Sequence, residues 1–532
     1  VIGAPGANPL GRNVNGMALE SKSAGMGSGP FVTGLVCFIA AVGFAFDIYE
    51  LLMLPLIVRP ALMELGDVRP GTPEFTMWFS LLFYVPAAAG GLIGLLGGYL
   101  TDRLGRRRVL TWSILLYAFG AFAAGYSTNL IMLLLFRCLV FAGVCVEFVA
   151  AIAWLAELFP DRRRREIVLG FTQAFSSLGG LMVALAAGIA TAWSAGRPAE
   201  LLFGITIPAY ALPEIRLPAF LAFLGEIKNP HADWRYTLMS GLIPALPLVV
   251  IRPFLPESPL WKRKREEGTL RRPSISDLFA RDLRRTTVIT TLMFTCSFAA
   301  AFGAIQQMQQ IVPGLPDVRA EVDAAVADRF PESRRGALRA ALEAEGRSDE
   351  SIRGAIEAEI RKIAGPIEQG HAAHVTKTQE IGGLAGRFTL ALLPTFLAVN
   401  GRLLRFFVVP GLVVMPIVFA YSGTRDVNSL EVGMFFAGFL TVGQFSFWGN
   451  YLPHAYPMRL RGTGESFAAN IGGRLIGTCF AGITQWIAFF LPLDAPYATK
   501  VAYTAAGIAF TVYLVNFVAS FRLPDPRGDA AD

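Results

Sequence analysis

The chain has 532 residues, of which 54% are hydrophobic and only 16% charged, with 41 Phe and a mean hydropathy of +0.50. A soluble protein carries about 25% charged residues, so the composition argues against a soluble enzyme or binding domain and for a membrane protein. The net charge of +7 is accounted for by loops facing anionic lipid; no nucleic-acid motif accompanies it, and nucleic acid is not expected as a partner.

Residues 1–30 are rich in Gly, Ala, Asn and Ser, carry no signal-peptide h-region and read as a disordered cytoplasmic tail. Apolar runs then fall at 31–57, 75–100, 109–127, 130–158, 167–193 and 236–255. A second set falls at 286–312, 380–399, 403–421, 430–452, 464–491 and 499–521. Each is close to the ~20 residues that a spanning helix needs. The expected fold is therefore an all-α membrane protein, with twelve transmembrane helices in two six-helix, pseudo-symmetric halves at 31–255 and 286–521. A basic linker, 256–285, joins the halves, and a short tail, 522–532, follows them.

Arg and Lys concentrate in alternate loops: Arg103 and Arg106 to Arg108, Arg162 to Arg165, the linker, Arg402 with Arg405, and Arg459 with Arg461. The positive-inside rule places those loops and both termini in the cytoplasm of a multi-pass cell (inner) membrane protein. Two insertions fall on the opposite side. Residues 194–235 are Pro-rich and semi-apolar; residues 313–379 are charged and Ala-rich, and their pattern predicts a small helical hairpin, read either as a solvated lid or as a docking element. The five Cys all lie in apolar runs and imply neither a disulfide framework nor a metal site. His231, His371, His374 and His454 form no metal set, and no cofactor is expected.

The second and third runs are joined by Gly97-Gly-Tyr-Leu-Thr-Asp-Arg-Leu-Gly-Arg-Arg-Arg108. Glycines let helices approach closely, Asp102 can accept from a helix N-terminus, and the arginines anchor in headgroups. The halves also repeat one another. Trp154-Leu-Ala-Glu-Leu-Phe-Pro160 with Arg164 aligns with Tyr451-Leu-Pro-His-Ala-Tyr-Pro457 with Arg461, and the same offset sets Glu147 against Gln444 and Gln173 against Asn470.

These features resemble the major facilitator superfamily, in which Gly98, Asp102, Arg103, Gly105, Arg106 and Arg107 match the loop signature Gly-x-x-x-Asp-Arg-x-Gly-Arg-Arg. Within it the chain is similar to the sugar-porter and organic-metabolite–proton symporter branches. Phe46-Asp-Ile-Tyr-Glu50, Arg137, Glu157-Leu-Phe-Pro-x-x-x-Arg164 and Pro256-Glu-Ser-Pro-Leu-Trp261 carry that likeness. The second half departs from the pattern, with Ala398-Val399 for Asp-Arg and His454 for the second Glu. Gln306-Gln-Met-Gln-Gln310 falls at the outer end of its run, so a sugar-binding Gln pair is not carried over.

The resemblance implies a secondary transporter working by alternating access, most simply proton-coupled symport of an organic acid or a sugar. A passive facilitator and a receptor with a transporter fold are the alternatives; an enzyme is not expected. Partners would be a small solute, protons and lipid, with the chain a monomer. Ionisable groups inside spans are costly and usually functional. Asp47 and Arg137 lie at similar depth and are read as a proton-linked pair or a permanent ion pair; Glu147 and Glu50 complete the expected proton-coupling set. Arg387, Gln173, Gln444, Asn470 and Trp448 are the expected solute contacts, while Arg474 reads as structural. Gly98, Asp102, Arg103, Gly105, Arg106, Glu157, Arg164 and Glu257 are expected to form a cytoplasmic gate that holds the two halves together when the protein opens outward.

Overall fold

The computed structural model describes residues 30–159, 175–251, 257–267, 274–393, 401–457 and 460–524, with Val168 and Thr172. The expected tail at 1–29, the end of the chain from 525, Gln173 and Arg164 lie outside the described residues. Eight helices among those residues are long and apolar enough to cross a membrane.

The helices begin where the sequence supplies caps. Thr72 accepts from the Phe75 amide and Pro73 follows it, starting span two (Pro73–Leu104). Asn129 starts span four (Leu130–Leu158) by accepting from the Met132 amide at 2.9 Å. Asp426 starts the first helix of span ten (Val427–Val442) by accepting from the Ser429 amide at 2.8 Å. In each case a short polar side chain satisfies an amide that the helix itself cannot.

The other spans are shorter, broken or extended. Span three (Arg106–Ala124) is short and begins with three arginines. Span six is broken into Asp233–Met239 and Leu242–Ile251 at Ser240 and Gly241. Span eight is the inner part of one continuous 44-residue helix, Asp349–Leu392, so no break separates it from the insertion. Span eleven runs through Arg461–Phe467, a π-helical stretch at Ala468–Gly477, and Phe480–Phe490. The π stretch widens the turn and frees a carbonyl, and Thr295 Oγ1 of span seven (Arg284–Gly303) donates to Gly472 O at 2.8 Å.

The two six-helix halves meet along span five (Ser177–Ser194) with span eight, and span two with span eleven. Small residues set the distances between helices. A Cβ on Gly179 would lie 1.7 Å from Ala45 O of span one (Pro30–Leu65), and one on Gly94 would lie 3.0 Å from Asn470 Nδ2. Such contact is the packing mode that membranes favour, because lipid offers no hydrophobic drive between helices.

The faces differ in how they are tied. On the face opposite the Arg-rich loops, the insertion consists of Pro316–Arg329, Glu332–Ala344 and the outer part of the long helix. The paired helical pattern is thus present, but its last helix is the transmembrane one. From that helix Glu368 pairs with Arg59 at 3.2 Å, Arg361 donates to Met63 O at 3.3 Å, and Glu357 pairs with Arg69. The second half thereby holds the end of span one. Nearby, Arg235 of span six is fully buried against Glu64. The 194–235 insertion forms a two-stranded antiparallel ribbon pairing Ala199 with Ile207, followed by a 3-10 turn at Ala219–Leu224.

Candidate functional site

A cavity of about 120 Å³ lies where the halves meet. Its wall is largely aromatic: Phe44 and Phe148 from the first half, and Phe294, Phe298, Phe302, Phe445 and Trp448 from the second. Phe294 stacks on Phe298 at 5.4 Å, Phe298 meets Phe445 edge-on at 5.2 Å, and Phe294 reaches Trp448 at 5.8 Å, so spans seven and ten present one continuous surface. Against it stand Asp47 of span one, Glu380 and Arg387 of span eight, and Glu465 and Arg474 of span eleven. Ser176, Gln306 and Gln379 add neutral polar groups.

The two arginines are anchored on the opposite half. Arg387 Nη1 donates to Ser176 Oγ at 2.5 Å. Arg474 Nη1 donates to Val144 O at 3.4 Å and to Asn470 Oδ1 at 3.1 Å, and its guanidinium lies over the Phe148 ring at 4.6 Å. Both are buried. These contacts fix both guanidinium groups at the cavity wall, with Glu380 the carboxylate facing Arg387, and a guanidinium can bind a carboxylate or a hydroxyl-rich solute.

The expected residues divide. Asp47, Arg387 and Trp448 line the cavity; Trp448 Nε1 donates to Ser297 Oγ at 3.2 Å. Asn470 does not line it, but its Oδ1 positions Arg474. Gln444 also does not: its Nε2 donates to Leu440 O and Tyr513 OH, and its Oε1 accepts from Asn516 Nδ2 at 3.1 Å. It joins span ten to span twelve (Tyr497–Ser520). Arg137 meets Glu50 rather than Asp47. Its Nη2 donates to Glu50 O at 3.2 Å, and the Glu50 carboxylate is its acidic neighbour. Glu50 is buried instead of facing a vestibule, with Oε1 against Gly241 at the break in span six, where a Cβ would approach to 2.2 Å. Glu147 is buried within span four and does not line the cavity.

The Arg-rich face carries a second cluster. Arg106 Nη2 pairs with Glu157 Oε1 at 2.7 Å. Glu257 accepts from the Arg106 amide at 3.1 Å, the Arg107 amide at 3.2 Å and the Ser258 amide at 3.0 Å, capping span three from the linker. Ser258 in turn caps the linker helix Pro259–Glu266. Gly98 and Asp102 lie on the last turns of span two, and Arg103 Nη1 donates to Tyr99 OH at 3.0 Å. Among the described residues these contacts join the first half to the linker.

Gly105 is the hinge of that cluster. Its φ is +96° with ψ 149°, and a Cβ there would fall 2.6 Å from Glu257 Oε2 and 3.1 Å from the Trp261 ring. Gly105→Ala is expected to cost about 1–3 kcal/mol from backbone conformation alone, read as a lower thermal-unfolding temperature in detergent. An unchanged midpoint would refute this role.

The comparisons with known proteins agree on a family. Residues 31–327 match the model of the Major Facilitator Superfamily, more than half of the chain. The chain belongs to that superfamily. Among curated relatives, a probable 4-methylmuconolactone transporter of Cupriavidus pinatubonensis is 25% identical over 47% of this chain and 49% of its own. The sialic acid transporter NanX of Escherichia coli is 23% identical over 49% and 53% respectively. The niacin transporter NiaP of Acinetobacter baylyi is 24% identical over 49% and 58%. The chain thus spans about half the length of the curated relatives it matches. Among solved structures, a D-xylose–proton symporter aligns over 94% of this chain and 99% of its own, with a TM-score of 0.57 at 16% identity. A bacterial homologue of the human lysosomal transporter Spinster gives 0.56 at 13%, over 95% and 100%. The twelve-helix fold of the superfamily is therefore this chain's fold.

The cavity also holds three groups outside the expected site: Glu380, which the sequence offers only as a possible partner of Arg387, Glu465, and Gln306, whose run was not carried over as a sugar site. Glu380 and Glu465 sit at the edges of apolar runs, where a carboxylate reads as a solvated helix end. Gln306 lies far along span seven, but a break after Gly303 turns the chain inward through a 3-10 segment at Ile305–Gln307. One signal was available for Glu380: it lies seven residues before Arg387, two turns away on the same helical face.

Proposed function

We propose that this member of the superfamily moves a small organic acid or sugar across the membrane together with protons, by alternating access. The observation that supports this reading best is the cavity itself: it sits between the halves and is lined by Asp47 from the first and by two acidic and two basic groups from the second. Relatives named for 4-methylmuconolactone, sialic acid and niacin favour an acid as solute. Arg387 and Arg474 would hold the solute, with the aromatic wall against its apolar body. Asp47, Glu380 and Glu465 are the carboxylates that reach the cavity, and the proton would reside on one of them. The Arg137–Glu50 pair and Glu147 would act from outside the cavity. By the positive-inside rule, the Arg-rich face is cytoplasmic.

The test is alkalinisation of the medium outside de-energised proteoliposomes on adding nicotinate, sialic acid, 4-methylmuconolactone or D-xylose. Solute entry with alkalinisation is the expected result. Entry without any pH change would replace symport by passive facilitation. No entry, with a solute-dependent thermal shift retained, would favour a receptor.

A further inference from the structure

We infer that Glu380 is the residue that couples proton to solute, by sharing Arg387 with the carboxylate of an incoming acid; this rests on the proton-symport reading above. Three observations carry it. Glu380 and Arg387 lie two turns apart on one helix, both are buried and both line the cavity. Arg387 is the cation that acts on Glu380, and Glu380 is the carboxylate that acts on Arg387. Glu380 is also confined: its carboxylate occupies the notch left by Gly180 of span five, where a Cβ would lie 2.2 Å from Oε2.

The surroundings leave Arg387 as the group through which Glu380 can be controlled. Span five faces the pair with the neutral Ser176 and Ser177, and span seven with Gln306 and phenylalanines. Span ten contributes rings. Across the cavity stand Asp47 of span one and Glu465 and Arg474 of span eleven. On the outer side of its own helix, Lys377 is turned to the Leu201 carbonyl at 3.2 Å.

The exchange balances in charge. An organic anion entering the cavity takes up N–H groups of Arg387. Glu380 then faces a guanidinium neutralised by another carboxylate, in a site where an uncompensated charge is costly. One proton from the side of entry adds to a Glu380 carboxylate oxygen, so anion and proton enter as a neutral pair. On the far side the anion leaves Arg387, the proton leaves Glu380, and the original pair re-forms. The same event reaches the interface between halves, because the Arg387 bond to Ser176 crosses from span eight to the first half. A solute that competes for that guanidinium loosens the contact that must part for access to alternate.

The experiment uses the full chain in proteoliposomes, with nicotinate, sialic acid and 4-methylmuconolactone as probes. For wild type, apparent affinity should rise as pH falls, and uptake should alkalinise the medium. In Glu380→Gln the pH dependence of affinity should be lost, removing a proton–solute coupling of about 5- to 150-fold. Solute-for-solute exchange, which moves no net proton, should persist. Glu380→Asp should restore part of the alkalinisation. Coupled alkalinisation in Glu380→Gln would overturn the assignment. If Glu380→Gln does not fold, Ser176→Ala decides the matter. It is expected to tighten acid binding with alkalinisation intact; unchanged or weaker binding would count against the shared-arginine scheme. Wild-type entry of the acids without alkalinisation would instead overturn the symport reading itself, as would no entry of any of them.

Discussion

Alanine at position 235 is expected to destabilise the protein by about 3–5 kcal/mol, the cost of removing one partner from a buried ion pair. Arg235 is wholly buried and satisfies three elements together. Its Nη1 donates to Gly125 O at 2.9 Å and Ser127 O at 2.8 Å, at the turn between spans three and four. Its Nη2 pairs with Glu64 Oε1 of span one at 2.6 Å, and its guanidinium lies 4.3 Å from the centre of the Trp234 ring. Trp234 Nε1 holds the other Glu64 oxygen at 2.7 Å. Removing the guanidinium strands two carbonyls and weakens the neutralisation of Glu64 in a site with little water. Arg235→Lys should fall between the two, since an ammonium keeps the charge but not the planar fork. Thermal and denaturant unfolding in detergent measure this; a loss below about 1 kcal/mol would show that these spans are held by packing alone.

Arg387→Ala is expected to raise the half-saturating concentration of an acidic solute roughly 10- to 150-fold, as loss of a charged hydrogen bond of about 1.5–3 kcal/mol implies. Stability should fall as well, because Arg387 is the cation facing the buried Glu380 and bonds to Ser176 across the interface. Arg387→Lys should not rescue affinity, because a carboxylate is recognised by two parallel N–H groups. Uptake as a function of concentration, alongside unfolding temperature, separates the two effects. Normal affinity with a large loss of stability would make Arg387 a strut between halves.

The large-scale architecture was readable because it depends on quantities that a linear pattern carries. Span length, the alternation of basic loops and the Asp102-Arg-Leu-Gly-Arg106 turn need no knowledge of which way a helix faces. The cavity does need it. Gln444 and Trp448 are one turn apart, and both looked equally like solute contacts; one bonds to span twelve, the other lines the cavity. Depth in the membrane matched Arg137 to Asp47, but Glu50, one turn along, matches it as well, and the structure pairs Arg137 with Glu50. Pattern also misleads where a helix crosses the membrane boundary unbroken. Asp349–Leu392 changes from charged to apolar along its length, so its outer part reads as a separate hairpin and Glu380 as that hairpin's edge.

That unbroken helix makes the insertion a handle. At 1.5 Å per residue it is ~66 Å long, a rod with Glu380 and Arg387 at one end and the contacts to Arg59, Met63 and Arg69 along the other. Gly365-Pro366 is the one place along the rod where a Pro can let it flex. Torque applied at either end reaches the other unless that joint absorbs it. A binder that grips the rod beyond the joint would pull on the end of span one through Glu357 and Arg361, whereas one that grips Glu368 or His371 would take hold of the cavity from outside the membrane.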